Sequence, residues 1–299
     1  MSAVPPAPGR PLSAYGLALV GAIGFSGKAI IAKLAYRYGV DAITLVMYRM
    51  LLALPLFAAM AWWAGRGKPP LSNADRWRVL GLGISGYYLA STLDFLGLQY
   101  ITASLERLIL YLNPTIVLLL NWALFGRKAT RVQLACMALS YLGVIVVFGH
   151  EWSAVGPQAP LGAALVFGSA VSYALYLIYC GEAVGRIGAL RLTGLASLVA
   201  CVLCLLQFVL LRPIEAAHVP AAVIGLSLVN ATACTVMPIL FTTMALARLG
   251  STVSAQIGMV GPMSTVLMGI VLLDEPFTAW VAAGTLLVMG GVGLLIRWR

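Results

Sequence analysis

The sequence predicts an all-α integral membrane protein: about ten transmembrane helices, arranged as two inverted five-helix repeats. Three observations predict it. Hydrophobic residues make up 62% of the 299-residue chain and charged residues 9%, whereas a soluble domain needs roughly a quarter of its residues charged to cover its surface. Apolar stretches recur at about the 20-residue length of a bilayer span, where helices facing lipid need no polar face. The chain also resembles itself at a shift of 148 residues.

The elements follow in order. Residues 1–11 are rich in proline and small residues and lack the cleavage site of a secretory signal peptide, so the first apolar stretch is expected to stay as a helix, Tyr15 to Tyr36. Ala42 to Ala64 follows, then Trp77 to Leu98, Ala103 to Phe125 and Val132 to Gly149. The second half reads Leu161 to Cys180, Leu190 to Leu211, Pro220 to Ala247, Thr252 to Leu273 and Phe277 to Ile296. The repeats are thus placed at residues 11–151 and 158–297, with short connections and no soluble domain.

Loop charges orient this map. With the N-terminus cytoplasmic, the inner segments hold Arg10, Arg66, Lys68, Arg76, Arg78, Arg127, Lys128, Arg131, Arg186, Arg191, Arg248, Arg297 and Arg299. The outer segments hold only Lys33, Arg37, Arg107 and Arg212. Such a bias is what the positive-inside rule selects, with both termini cytoplasmic. It also accounts for the net charge of +10 without nucleic acid as a partner. Tryptophans such as Trp62, Trp77 and Trp122 fall near helix ends, as in an interfacial belt. The partner is the lipid bilayer.

Within the repeat, Asn113-Pro114 aligns with Gly261-Pro262, Leu124 to Lys128 with Leu272 to Pro276, and Gly143-Val144 with Gly291-Val292. Five helices per repeat is an odd number, so the halves insert with opposite topology. That construction recurs in secondary transporters, whose substrate site lies at the repeat interface near the midplane.

The Leu-Leu-Asp-Glu-Pro-Phe-Thr stretch at 272–278, the glycine-rich last helix and the early Pro262 resemble the end of an EamA repeat. Gly24, Lys28, Arg49 and Asn113-Pro114 make the first half similar, although Arg127 stands where an acidic residue is commoner. The resemblance is to the EamA family of the drug/metabolite transporter superfamily. It implies a central cavity, alternating access and a multi-pass protein of the bacterial plasma membrane, closest in character to exporters of aromatic amino acids. It implies no cofactor and no metal, and a monomer is the simplest assembly.

Ionisable groups at membrane depth are costly and therefore functional candidates. Lys28, on the first helix, is expected to meet a substrate carboxylate. Tyr48, Tyr87, Tyr111, Tyr173 and Tyr176, with Asn113, Asn230 and Gln256, are expected to line the cavity. Arg49, Asp94, Glu106 and Arg107 read as an external gating network with Lys33, Arg37 and Asp41, or as static interfacial pairs. Pro114, Pro238 and Pro262 break backbone ladders and are candidate hinges. No carboxylate is expected at mid-helix, which favours substrates bearing a carboxylate over cationic drugs.

Rival readings are weaker. Gly24-Phe25-Ser26-Gly27 and Gly83-Ile84-Ser85-Gly86 fit the GxSG motif of intramembrane serine proteases. That chemistry needs a histidine on a neighbouring helix, and His150 and His218 fall in predicted loops. No filter-like segment suggests a channel, and no GxxxxGK[ST] segment suggests ATP use. Within the superfamily, organophosphate or drug export is the alternative, for which few cations are expected at depth. Cys201 and Cys204 have CxxC spacing without a second pair, so packing is the expected role.

Overall fold

The structure, a computed structural model, describes residues 12–126, 130–155, 157–249, 257–258 and 260–297. Arg10, Arg127, Lys128, Thr252, Gln256 and Arg299, all used above, lie outside the described residues. The described chain is helical: α1 (Leu12–Tyr36), α2 (Ala42–Gly65), α3 (Asn73–Gly83), α4 (Ala90–Gly97), α5 (Ala103–Leu110), α6 (Asn113–Phe125) and α7 (Arg131–Val155). Then come α8 (Ala159–Ile187), α9 (Ala189–Leu211), α10 (Ala221–Ala231), α11 (Met237–Leu249), α12 (Val260–Leu273) and α13 (Ala279–Arg297).

Eight spans among the described residues are long and apolar enough to cross a membrane, from 13–36 to 221–245. Two further apolar helices, Val260–Leu273 and Ala279–Leu294, are shorter. The ninth predicted helix begins at Thr252, outside the described residues, and the described parts of the ninth and tenth are these two shorter helices.

Local chemistry sets the boundaries. Asp41 accepts from the backbone N–H of Ile43 and Thr44 and caps α2. Ser72 accepts from Asp75 N and starts α3 four residues before the predicted Trp77. Gly126 closes α6 in the left-handed region (φ 65°), donating its N–H to Trp122 O. Gly188, at φ 88°, separates α8 from α9, so the eighth element runs past the expected Cys180 to Ile187.

Packing follows the 148-residue shift. α2 packs against α9, and α7 against α13. The pairs α1–α11 and α4–α8 exchange under the shift, and both are in close contact. At the α7–α13 crossing a Cβ on Gly143 would lie 2.7 Å from Gly284 O, and one on Gly284 would lie 2.6 Å from Gly143 O. Only glycine permits that approach. Wide π-turns interrupt two helices, at Ile84–Leu89 and Thr232–Val236, beginning at positions related by the same shift. A core of Leu45, Met50, Phe57, Phe95, Ala200 and Cys201 joins α2, α4 and α9 beside the site.

Candidate functional site

A cavity of about 380 Å³ lies between α1, α2, α4–α6, α8, α11 and α12. Its size falls within the roughly 300–1,000 Å³ of small-ligand sites. One end, toward the Tyr36 terminus of α1, is charged: Lys28, Arg49, Asp94 and Arg107 all line it. The middle is aromatic and apolar, with Phe25, Tyr87, Leu110, Tyr111, Tyr173 and Ile239. Small side chains, Ala18, Ala22 and Ala245, line the other end.

Glycines place Lys28. A Cβ on Gly24 would lie 2.9 Å from Ala233 O, and one on Gly27 would lie 2.9 Å from Cys234 Sγ. Ser26 Oγ donates to Ala22 O (2.9 Å) and Gly261 O (2.8 Å). These contacts clamp one face of α1 to the second half of the chain, and Lys28 points the other way into the cavity. The two GxSG serines are engaged with backbone, Ser26 as above and Ser85 with Gly81 O.

Lys28 Nζ donates to Asp94 Oδ2, and Glu106 Oε1 lies 3.7 Å away. Arg107 Nε donates to Thr265 Oγ1 (3.0 Å) and lies 3.9 Å from Glu106 Oε2, while its Nη2 donates to Phe25 O (2.8 Å). Arg49 Nη2 donates to Ser91 Oγ at 3.1 Å, and its guanidinium sits 4.9 Å over the Phe95 ring. Its Nε and Nη1 have no hydrogen-bond partner among the described residues. Three cations thus face two carboxylates, leaving one positive charge in excess when all are ionised.

This arrangement bears on two expectations. Among the described residues Arg49, Asp94, Glu106 and Arg107 converge with Lys28 on one cluster. Arg37 and Asp41 lie apart from it, donating to Leu273 O and accepting from Arg212 respectively. Carboxylates do reach the cluster: Asp94, 1% exposed, lines the cavity, and Glu106, fully buried, lies beside Lys28 and Arg107. Both lie near helix ends in sequence, but the surrounding helices extend past them and exclude water. Lys28 is consequently engaged by protein acids, and the other two cations that line the cavity are the guanidinium groups of Arg49 and Arg107.

The breaks shape the middle of the cavity. Pro114 lacks an N–H, so the Leu110 carbonyl four residues earlier loses its helical partner. Asn113 Nδ2 takes that place at 2.8 Å. Tyr111 and Leu112 leave the helix there, and Tyr111 and Asn113 reach the cavity wall. Pro262 lines the cavity, and Pro238 follows the second π-turn against Gly24. The first π-turn carries Gly86 and Tyr87 past the ring of Tyr176.

Other expected residues distribute unevenly. Tyr173 lines the cavity; Tyr176 is buried behind it, its hydroxyl 3.1 Å from that of Tyr87. Tyr48 points away and donates to Ala217 O at 2.6 Å. Asn230 supports α1 from behind, donating to Lys28 O at 3.3 Å. Phe25, Ser91, Ser169 and Thr235 line the cavity unannounced, since small hydroxyls and lone phenylalanines carry no sequence signal at membrane depth.

The EamA-like transporter family model matches residues 12–149 and 160–297. The chain belongs to the EamA-like transporter family. The transporter is 30% identical over 269 residues to the uncharacterized transporter YcbK of Bacillus subtilis, covering 86% of this chain and 84% of that one. It is 25% identical to the uncharacterized transporter YetK of the same organism, covering 82% and 75%. A solved crystal structure superposes with a TM-score of 0.62 at 19% identity, covering 94% of this chain and 96% of the other. That likeness concerns the fold alone. The transporter is therefore a multi-pass membrane protein of this family.

Proposed function

We propose that the transporter exports zwitterionic amino acids with bulky apolar or aromatic side chains by alternating access between its two repeats, 11–151 and 158–297. The observation that carries this reading is one cavity with both charge signs at one end and an aromatic middle. A substrate carboxylate meets Arg49 and Arg107, an ammonium meets Asp94, and the side chain lies among Tyr87, Tyr111 and Tyr173. Charge-assisted, forked hydrogen bonds are the strong ones, so arginine suits the carboxylate. The loop-charge bias supports cytoplasmic termini in a bacterial plasma membrane. The inverted pair of proline breaks, Pro114 and Pro262, supports movement of one repeat against the other.

Flux into proteoliposomes tests it, with labelled phenylalanine, tryptophan, leucine, lysine, a sugar phosphate and a quaternary ammonium drug. Saturable flux of the first three is expected. The excess positive charge of the cluster favours an organic anion as the second reading, and preferential flux of the sugar phosphate would establish it instead. Flux of the drug alone would refute both.

A further inference from the structure

Glu106 has no part in the reading above. It is fully buried on α5, and neither of its carboxylate oxygens has a hydrogen-bond partner among the described residues. The charged groups around it are few. From α1, Lys28 Nζ stands 3.7 Å away but is bonded to Asp94 of α4; from α5 itself, Arg107 Nε stands 3.9 Å away and is bonded to Thr265 of α12. Asp94 of α4 also acts on Glu106; Arg49 of α2 lies over the Phe95 ring, and the Tyr36 hydroxyl of α1 donates to the Phe95 backbone carbonyl. Glu275, following α12, is spent on Ala103 N (2.8 Å) and Ser104 Oγ (2.7 Å) at the start of α5. Val147 of α7 and Val166 of α8 belong to the apolar cluster packed around α5.

Two carboxylates therefore share one ammonium, and the ammonium has chosen Asp94. A desolvated carboxylate without hydrogen bonds costs several kcal/mol, a cost that a bound proton removes. Intramembrane carboxyls in such settings carry protons in transport cycles.

We propose that Glu106 is a proton-binding site, filled when the cavity is empty and vacated when a substrate ammonium enters, so that the transporter exchanges protons for its zwitterionic substrate. The proposal rests on the amino-acid reading for its second half only. In the exchange the substrate ammonium takes Asp94. Lys28, on its four-carbon stem, closes the 3.7 Å to Glu106. The proton on the Glu106 carboxyl leaves to water in the cavity, and the substrate carboxylate settles on Arg49 and Arg107. Two acids then hold two ammonium groups, where before they held one ammonium and one proton. One proton leaves for each neutral zwitterion bound, so an inward proton gradient drives export.

The sign follows from linkage. Substrate and proton compete, so affinity rises with pH, by up to about tenfold per unit while Glu106 is protonated in the empty protein.

Two measurements on the purified full chain test this. In weakly buffered detergent solution, phenylalanine binding is expected to release about one proton per bound molecule, seen with a pH indicator, and Glu106→Gln is expected to abolish the release. Without substrate, dicyclohexylcarbodiimide, which reacts with neutral carboxyls in apolar surroundings, is expected to modify Glu106 increasingly as pH falls, read by peptide mapping of the unaltered chain. Modification of Glu106 without any amino-acid binding would leave the proton site standing and defeat the amino-acid reading. Phenylalanine binding without proton release, or no modification of Glu106 at any pH, would overturn the proposal.

Discussion

The two repeats share a backbone plan and differ at one end of the cavity. Under the 148-residue shift Pro114 meets Pro262, Gly143 meets Gly291, and the π-turn at Ile84–Leu89 meets that at Thr232–Val236. The charges have no such counterparts. Tyr176 stands where the first repeat has Lys28, Ser197 where it has Arg49, and Thr242 where it has Asp94. Parts that bend and pack are kept twice, as the proposed alternating access requires, since both halves would make the same contacts in turn. On the proposed function recognition is supplied once, by the first repeat, against a cavity wall to which the second contributes Tyr173, Thr235 and Thr242.

The comparison is broken most severely at Lys28. Lys28→Met leaves Asp94 and Glu106 buried without their ammonium, and loss of one partner of a buried pair costs about 3–5 kcal/mol. Folded yield on size-exclusion chromatography should fall sharply, and the double variant Lys28→Met, Asp94→Asn should recover it. Tyr176→Phe, the counterpart, removes one hydroxyl contact and should cost only about 1 kcal/mol.

Arg107→Gln comes next. It removes a charge from the cavity while keeping a donor for Phe25 O or Thr265, so yield should hold. Substrate affinity should fall about 10–100-fold, the equivalent of roughly 1.5–3 kcal/mol for a charged hydrogen bond. A direct binding assay on the purified variant checks it. Ser197→Ala, at the position equivalent to Arg49, should leave affinity unchanged.

The shared scaffold is sharpened at glycine. Gly86→Ala drives a methyl into the ring of Tyr176 and should cost about 1–3 kcal/mol. Gly16→Ala, with nothing within 4 Å of the added carbon, should be neutral or stabilising. Thermal unfolding in detergent distinguishes them.

The smallest effect is expected outside the spans, at Asp41. Burial raises its carboxyl, but hydrogen bonds from Thr44 and Arg212 outweigh that and hold it below the usual carboxylate range. Its contribution is present above the unfolded value of about 3.9 and is lost as pH falls through the lowered folded value. Asp41→Asn should remove that acid-side loss from the melting profile and leave the rest of the profile in place.

Much of this was legible in the sequence. The helices announce themselves by apolar length, the repeat by Pro114 and Pro262, and Lys28 by its depth. Asn113 was legible as a residue at depth, but its bond to the Leu110 carbonyl follows only once the proline is seen inside a helix. Asp94 and Glu106 were placed near helix ends, where they are, but their burial was not legible, because proximity to a helix end reads as proximity to water. Here α1 and α2 extend past both residues. Tyr48 carried the same depth signal as Tyr111, yet faces Ala217, since depth along a helix does not fix which way a side chain turns. The π-turns have no residue signature; an extra residue in a helical turn arises from packing.

The central claim is that first-repeat charges hold both ends of a zwitterion. Competition binding to the purified transporter tests it most directly, with phenylalanine beside phenylethylamine, which lacks the carboxylate, and phenylpropionate, which lacks the ammonium. Phenylalanine should bind at least about tenfold more tightly than either, and Arg107→Gln should narrow its advantage over the amine. Equal binding of phenylalanine and phenylethylamine by the unaltered protein would contradict the assignment of the arginines to a substrate carboxylate.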